Sequence, residues 1–145
     1  MQTDTKRPID ALLEEYGESH MNKTNKMIHW FAVPCIFLSV VGIIWSIPTP
    51  KIVGLEDSNV VLLNWSIPAL ILTLIYYSRL SIPLTIGMAA FTIVCMIIVE
   101  RYEAMGPTSL WLACVIIFVI GWIFQFIGHK IEGKKPSFFR DVQFL

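Results

Sequence analysis

The sequence predicts an all-α polytopic membrane protein of four transmembrane helices with short connections, preceded by an N-terminal amphipathic, interfacial helix. Three observations lead there. The 145-residue chain is 55% hydrophobic and only 15% charged, well away from the balance of soluble domains. Its apolar residues gather in four stretches, roughly Ile28–Ile47, Val60–Tyr77, Ile82–Val99 and Ser109–Gly128, each of 18 to 20 residues and none holding Lys, Arg, Asp or Glu. Such lengths cross a hydrocarbon core of about 30 Å at about 1.5 Å per residue, whereas a buried helix of a soluble protein keeps a polar stripe. The basic residues, finally, are shared unevenly between the connections. At this size the chain reads as a single membrane domain, residues 1–145.

Ahead of the first stretch, Ile9, Leu12, Leu13, Tyr16 and His20 recur at helical spacing, and Glu14, Glu15 and Glu18 fall elsewhere. Pro8 suits the opening of such a helix. The pattern fits an amphipathic helix in the cytoplasmic interface, or one packed beneath the bundle. The first span begins behind this polar segment and ends at Pro48 and Pro50 without a small-residue cleavage site, so it reads as an anchor.

Residues 48–59 form a connection rich in Pro, Gly and acidic side chains. Asn64, inside the second stretch, reads as helix–helix glue. A tight turn, Ser78 to Ser81, leads to Pro83 at the start of the third helix, where a missing N–H costs little. Glu100–Thr108, with Gly106-Pro107, reads as a solvated loop. Pro34 and Pro68 fall inside helices and are expected to kink them, which membrane helices tolerate. Cys35, Cys95 and Cys114 all sit in apolar runs and read as small hydrophobes, not a disulfide framework.

Eleven basic and eleven acidic residues cancel, so no net field recruits nucleic acid; placement matters instead. Lys6, Arg7, Lys23, Lys26, Arg79, Lys130, Lys134, Lys135 and Arg140 fall on one face of the predicted topology, against Lys51 and Arg101 on the other. Nine against two puts both termini in the cytoplasm. The membrane would be the inner membrane of a bacterium or the endoplasmic reticulum of a eukaryote. Trp30, Trp45, Trp65, Trp111 and Trp122 lie mostly near stretch ends, as interfacial anchors do.

The three histidines, His20, His29 and His129, then all lie on the cytoplasmic side. His20 and His29 differ by nine positions, about 180° apart on a straight helix, so they share a site only if the chain turns between them. Asn22, Thr24 and Asn25 are capping residues at that point. Gln125, His129 and Glu132 follow i, i+4, i+7 spacing, which puts an amide, an imidazole and a carboxylate on one helix face. Imidazole with carboxylate and open positions suits non-haem Fe(II), and also zinc. An amide beside it serves to orient ligands, and Tyr16, four residues before His20, is placed to donate a hydrogen bond. A bis-histidine haem, or interfacial histidines that bind nothing, are the other readings of the same residues. No phosphate loop, GxSxG, HExxH or CxxC occurs.

Two blocks resemble a known family. The first, YGESHMNKTNKMIHWFAVP, carries Tyr16, His20, Asn25, His29 and Pro34; the second, WIFQFIGHKIEGKKP, carries Trp122, Gln125, Gly128, His129, Glu132 and Pro136. Together they resemble the small membrane family that includes the 2-hydroxy fatty acid dioxygenase of fatty acid α-oxidation, over the full length, with the middle helices matching only in character. Ala32 stands where that family often has Gly, and Ser137 where Ala is common; both are small.

The resemblance implies an Fe(II)-dependent enzyme that uses O2 to shorten a 2-hydroxy fatty acid by one carbon. It carries the metal-binding role onto His20, His29 and His129. Glu132 is then a ligand or base, with Gln125, Tyr16 and Asn25 beside it. Lys134 or Arg140 is placed to steer a carboxylate head group. The expected partners are the 2-hydroxy fatty acid, O2 and the lipid bilayer, with no nucleic acid, and self-association into a homo-oligomer stays open. A non-catalytic lipid-binding or scaffolding bundle and a histidine-ligated haem protein are the competing readings.

Overall fold

The computed structural model describes residues 21–49, 64–106 and 108–133, together with the isolated positions 10, 14 and 17. The expected interfacial helix before residue 21 lies outside the described residues apart from those three positions, as do Tyr16 and His20. Among the described residues there are four α-helices and no strand: α1 (Lys23–Trp45), α2 (Ser66–Leu80), α3 (Ile82–Met105) and α4 (Leu110–Glu132). The 23-, 24- and 23-residue helices α1, α3 and α4 are long and apolar enough to cross a membrane. The fourth, α2, has 15 residues, about 22 Å of helix, and falls short of that length. Its predicted stretch began at Val60, but residues 60–63 lie outside the described residues and the helix starts only at Ser66.

The helix ends differ from the ends of the apolar stretches for local reasons. Asn22 opens α1 at Lys23, five residues ahead of Ile28: its Oδ1 accepts the backbone N–H of Thr24 at 2.8 Å and of Asn25 at 3.4 Å, the bonds a cap supplies to otherwise orphaned donors. Asn64 opens α2 from outside it. Its Oδ1 accepts from Ser66 N at 2.9 Å and Ser66 Oγ at 2.8 Å, while Nδ2 donates 3.0 Å to the Trp45 carbonyl at the end of α1. Asn64 thus joins two helix ends rather than two helix faces. Pro68 then falls in the first turn of α2, where no helical bond is lost; among the described residues only Pro34 stands deep inside a helix.

Between α2 and α3 only Ser81 is extended, at φ −166°, so the expected four-residue turn shrinks to one residue. Pro83 follows at the start of α3. The segment read as a loop from Glu100 is helical as far as Met105. It ends at Gly106, whose φ of +58° suits glycine and whose N–H reaches the carbonyls of Tyr102 and Glu103.

The chain groups into two compact units, one of Met1–Phe37 with Ile117–Leu145 and one of Leu38–Ile116. In the second, α2 and α3 pack together, and Val41, Cys95, Val99 and Cys114 are buried. Gly42 lets α1 come close to Cys114, whose Sγ occupies the space a Cβ there would take. Trp45, expected as an interfacial anchor, is buried and donates 2.7 Å to Glu103 Oε2. The three cysteines are free thiols.

Burial is inverted relative to a soluble protein. Asn25, His29, Ser39, Thr92, Gln125 and His129 are buried, while Trp30 (77% exposed), Phe31, Ile86, Ile93, Ile116 and Phe126 point outward. Large apolar side chains turned outward with polar ones inward are what a lipid solvent selects, because hydrocarbon gives polar groups no partners.

Candidate metal centre

In the first unit the opening half of α1 meets the closing half of α4 antiparallel. Asn25 lies against Gly128, and Ile36 against Gly121. A Cβ on Gly121 would come within 2.6 Å of Ile36 Cγ1, and one on Gly128 would meet Asn25 Oδ1. Small residues at such a contact let two backbones approach closely. In this opening half of α1 the buried residues are Asn25, His29, Ala32 and Ile36, at alternating spacings of four and three, so one continuous stripe faces α4.

The open end of this seam is tied by Glu132, the last residue of α4. Its Oε1 accepts the Met21 N–H at 2.8 Å, its Oε2 accepts the Asn22 N–H at 3.0 Å, and Asn25 Nδ2 donates 3.0 Å to Oε2. A carboxylate at a helix N-terminus satisfies free N–H groups and meets the positive end of the helix dipole. Gly133, at φ +73°, ends α4 just beyond it.

One turn into α1, His29 places Nδ1 3.1 Å from the Asn25 carbonyl oxygen. A carbonyl only accepts, so Nδ1 carries the proton and the lone pair of the neutral ring is on Nε2. Metal-binding imidazoles are commonly held this way, one nitrogen donating to a backbone carbonyl and the other turned to the metal. The His129 ring packs edge-on against His29, with centroids 5.1 Å apart and planes at 86°. Both Nε2 atoms are buried. Gln125 is buried one turn before His129.

Five of the sequence-derived candidates therefore meet in one compact unit: Asn25, His29, Gln125, His129 and Glu132. Tyr16, His20, Lys134 and Arg140 lie outside the described residues. Among the described residues no three His, Cys, Asp or Glu side chains are grouped closely enough to hold a metal; the described part of the candidate site is a histidine pair. The helix carrying His29 starts at Lys23 behind the Asn22 cap, at the capping residues expected to open the first span; His20, on the far side of that cap, lies outside the described residues. Spacing alone missed the roles of Gly121 and Gly128. The signal was available: 121, 125, 128 and 132 repeat at steps of four, three and four, placing both glycines on the face of Gln125 and Glu132.

Fold and site together define a class: an all-helical protein with apolar helices of membrane-crossing length and a buried, histidine-bearing polar seam. Residues 7–145 match the family described as 2-hydroxy-palmitic acid dioxygenase Mpo1-like, and the chain belongs to that family. No curated protein and no solved structure gives a significant match.

Proposed function

We propose that this chain is a membrane-embedded, Fe(II)-dependent dioxygenase that cleaves a 2-hydroxy fatty acid between C1 and C2. With O2 the products are the acid one carbon shorter, carbon dioxide and water, a balance that needs no further reductant. The observation that carries the reading is the His29–His129 pair, with the His29 tautomer set by the Asn25 carbonyl, in a chain of this family.

The residues present fit such a metal. Two imidazoles bound side by side, with metal–nitrogen bonds of about 2 Å, bring ring centroids to roughly 4.5–5 Å; the observed spacing is 5.1 Å. Opposed axial ligands of a haem need roughly 6 Å with a macrocycle between them, so this pair favours a small ion over haem. His29 and His129 would hold the iron together with His20, the role the family resemblance gives it. When bound, Fe(II) supplies sites for the substrate's carboxylate and hydroxyl and for O2.

Each nearby residue then has a task. The Asn25 carbonyl keeps the His29 proton on Nδ1. Both carboxylate oxygens of Glu132 already accept hydrogen bonds, and we assign it the task of holding the chain after His20 against α4. Gly121 and Gly128 bring the helices close enough to shut water out of the pair. The alkyl chain lies among outward-facing apolar side chains, so it need not leave the bilayer. Four spans, an interfacial N-terminal helix and cytoplasmic termini belong to this reading and place the centre at the cytoplasmic mouth.

The test is anaerobic Fe(II) loading followed by O2 and 2-hydroxypalmitate. The C15 acid is expected from wild type, and stoichiometric iron is expected to be lost in His29→Ala and His129→Ala. No shortened acid from iron-loaded protein at any chain length tried would sink the reading.

A further inference from the structure

The side-chain oxygen of Gln125 differs from the other polar groups of the seam. The residue is 3% exposed, and its Oε1 is buried with no hydrogen-bond partner among the described residues. Because Asn25 meets Gly128 and Ile36 meets Gly121, the antiparallel register sets Gln125 level with the turn of α1 between His29 and Ala32. It also stands one turn before His129. Asn25 Oδ1 is likewise buried without a conventional partner, but its space is taken. It lies where a Gly128 Cβ would be, so a Cα–H faces it as a weak donor, and the same amide donates to Glu132. For Gln125 Oε1 no donor stands within hydrogen-bond reach among the described residues. A buried carbonyl oxygen that meets no donor carries its desolvation cost uncompensated, and a ligand bringing an O–H relieves it.

We propose that Gln125 is a specificity-determining residue of this site. Its Oε1 accepts the hydrogen bond of the substrate's 2-hydroxyl, so a 2-hydroxy fatty acid is favoured over the unsubstituted acid of the same length. The inference rests on the dioxygenase reading and deepens it. An acceptor oxygen repels a carboxylate and gains nothing from a C2 methylene; the hydroxyl is the only O–H donor a 2-hydroxy acid carries once its carboxyl is ionised. The hydroxyl's lone pairs stay available to the metal while its proton meets Gln125. A site built around a hydroxyl rejects the analogue lacking it strongly, because its own polar group is then left unmet.

The test is competitive binding of 2-hydroxypalmitate and palmitate to the full chain in detergent micelles, loaded with Fe(II) and kept anaerobic so that nothing turns over. Preference arising from chelation is common to wild type and variant, so the ratio of their preferences isolates Gln125. Gln125→Met keeps an unbranched side chain and removes the acceptor. It is expected to lose roughly 5- to 100-fold of the preference, through weaker 2-hydroxypalmitate binding with palmitate unchanged. A folded Gln125→Met with the wild-type preference overturns the proposal. A second measurement needs no variant. In wild type stripped of iron, 2-hydroxypalmitate is expected to outcompete 2-fluoropalmitate, which is similar in size but has no donor; equal binding overturns the proposal as well. Wild type that binds neither 2-hydroxypalmitate nor palmitate removes the dioxygenase reading itself, so the two failures are told apart.

Discussion

Asn25 and Glu132 stand 107 positions apart in the sequence and meet through a 3.0 Å hydrogen bond, Nδ2 to Oε2, that closes the start of α1 onto the end of α4. The same carboxylate accepts from the backbone of Met21 and Asn22, so one side chain caps a helix and fixes where the chain enters it.

Replacing Glu132 should therefore loosen that entry. Glu132→Ala is expected to lower stability by about 1–3 kcal/mol, the range for losing charged hydrogen-bond partners. Glu132→Gln should recover only part of it, since an amide keeps one acceptor and sets its NH2 against donors. Thermal unfolding in detergent gives the size, and hydrogen exchange at Met21 and Asn22 gives the place. Unchanged protection at both amides in Glu132→Ala would contradict the capping role.

The close approach at Gly128 makes a second test. Gly128→Ala pushes a methyl onto Asn25 Oδ1, and overpacking of this kind costs about 1–3 kcal/mol. Gly87 on α3 has nothing within 4 Å of a Cβ; Gly87→Ala should be neutral or stabilising by up to about 1 kcal/mol. Equal melting temperatures for the two variants would refute the close packing of Asn25 on Gly128.

In the other unit, Asn64 makes three hydrogen bonds at the ends of α1 and α2. Asn64→Ala is expected to cost about 2–3 kcal/mol, against about 1 kcal/mol for Ser66→Ala, which removes only the Ser66 Oγ bond to Asn64. Chemical denaturation of both variants reads the order, and the reverse order would count against Asn64 as the joint.

Topology has its own readout. With Cys35, Cys95 and Cys114 replaced by Ala, single cysteines at Lys6, Lys51, Arg79 and Ser137 can be labelled in intact cells with an impermeant maleimide. Only Lys51→Cys should react. Reaction at one terminus and not the other would mean an odd number of crossings, with α2 failing to span.

The ends of the helices were less legible than their existence. Hydropathy marks which residues prefer hydrocarbon, and helices continue past that zone for as long as backbone groups find partners. Hence α1 starts at Asn22's cap and α3 continues to Gly106, each beyond its apolar stretch. At α2 the opposite holds: the apolar run continues upstream, but Asn64 spends its side chain on Ser66 and Trp45, and the helix opens only after it.

By itself the sequence determined the all-helical class, membrane-crossing length for three of the four helices it predicted, the start of a helix just ahead of His29 and the shared face of Gln125, His129 and Glu132. These follow from composition, capping chemistry and the 3.6-residue turn, all local properties. Only the tertiary structure decided that Glu132 is committed to the start of α1, that Gly128 makes room for Asn25, and that His29 and His129 touch. Those facts depend on the register between two helices about a hundred residues apart, and register is set by which side chains interlock, not by any periodicity within one helix.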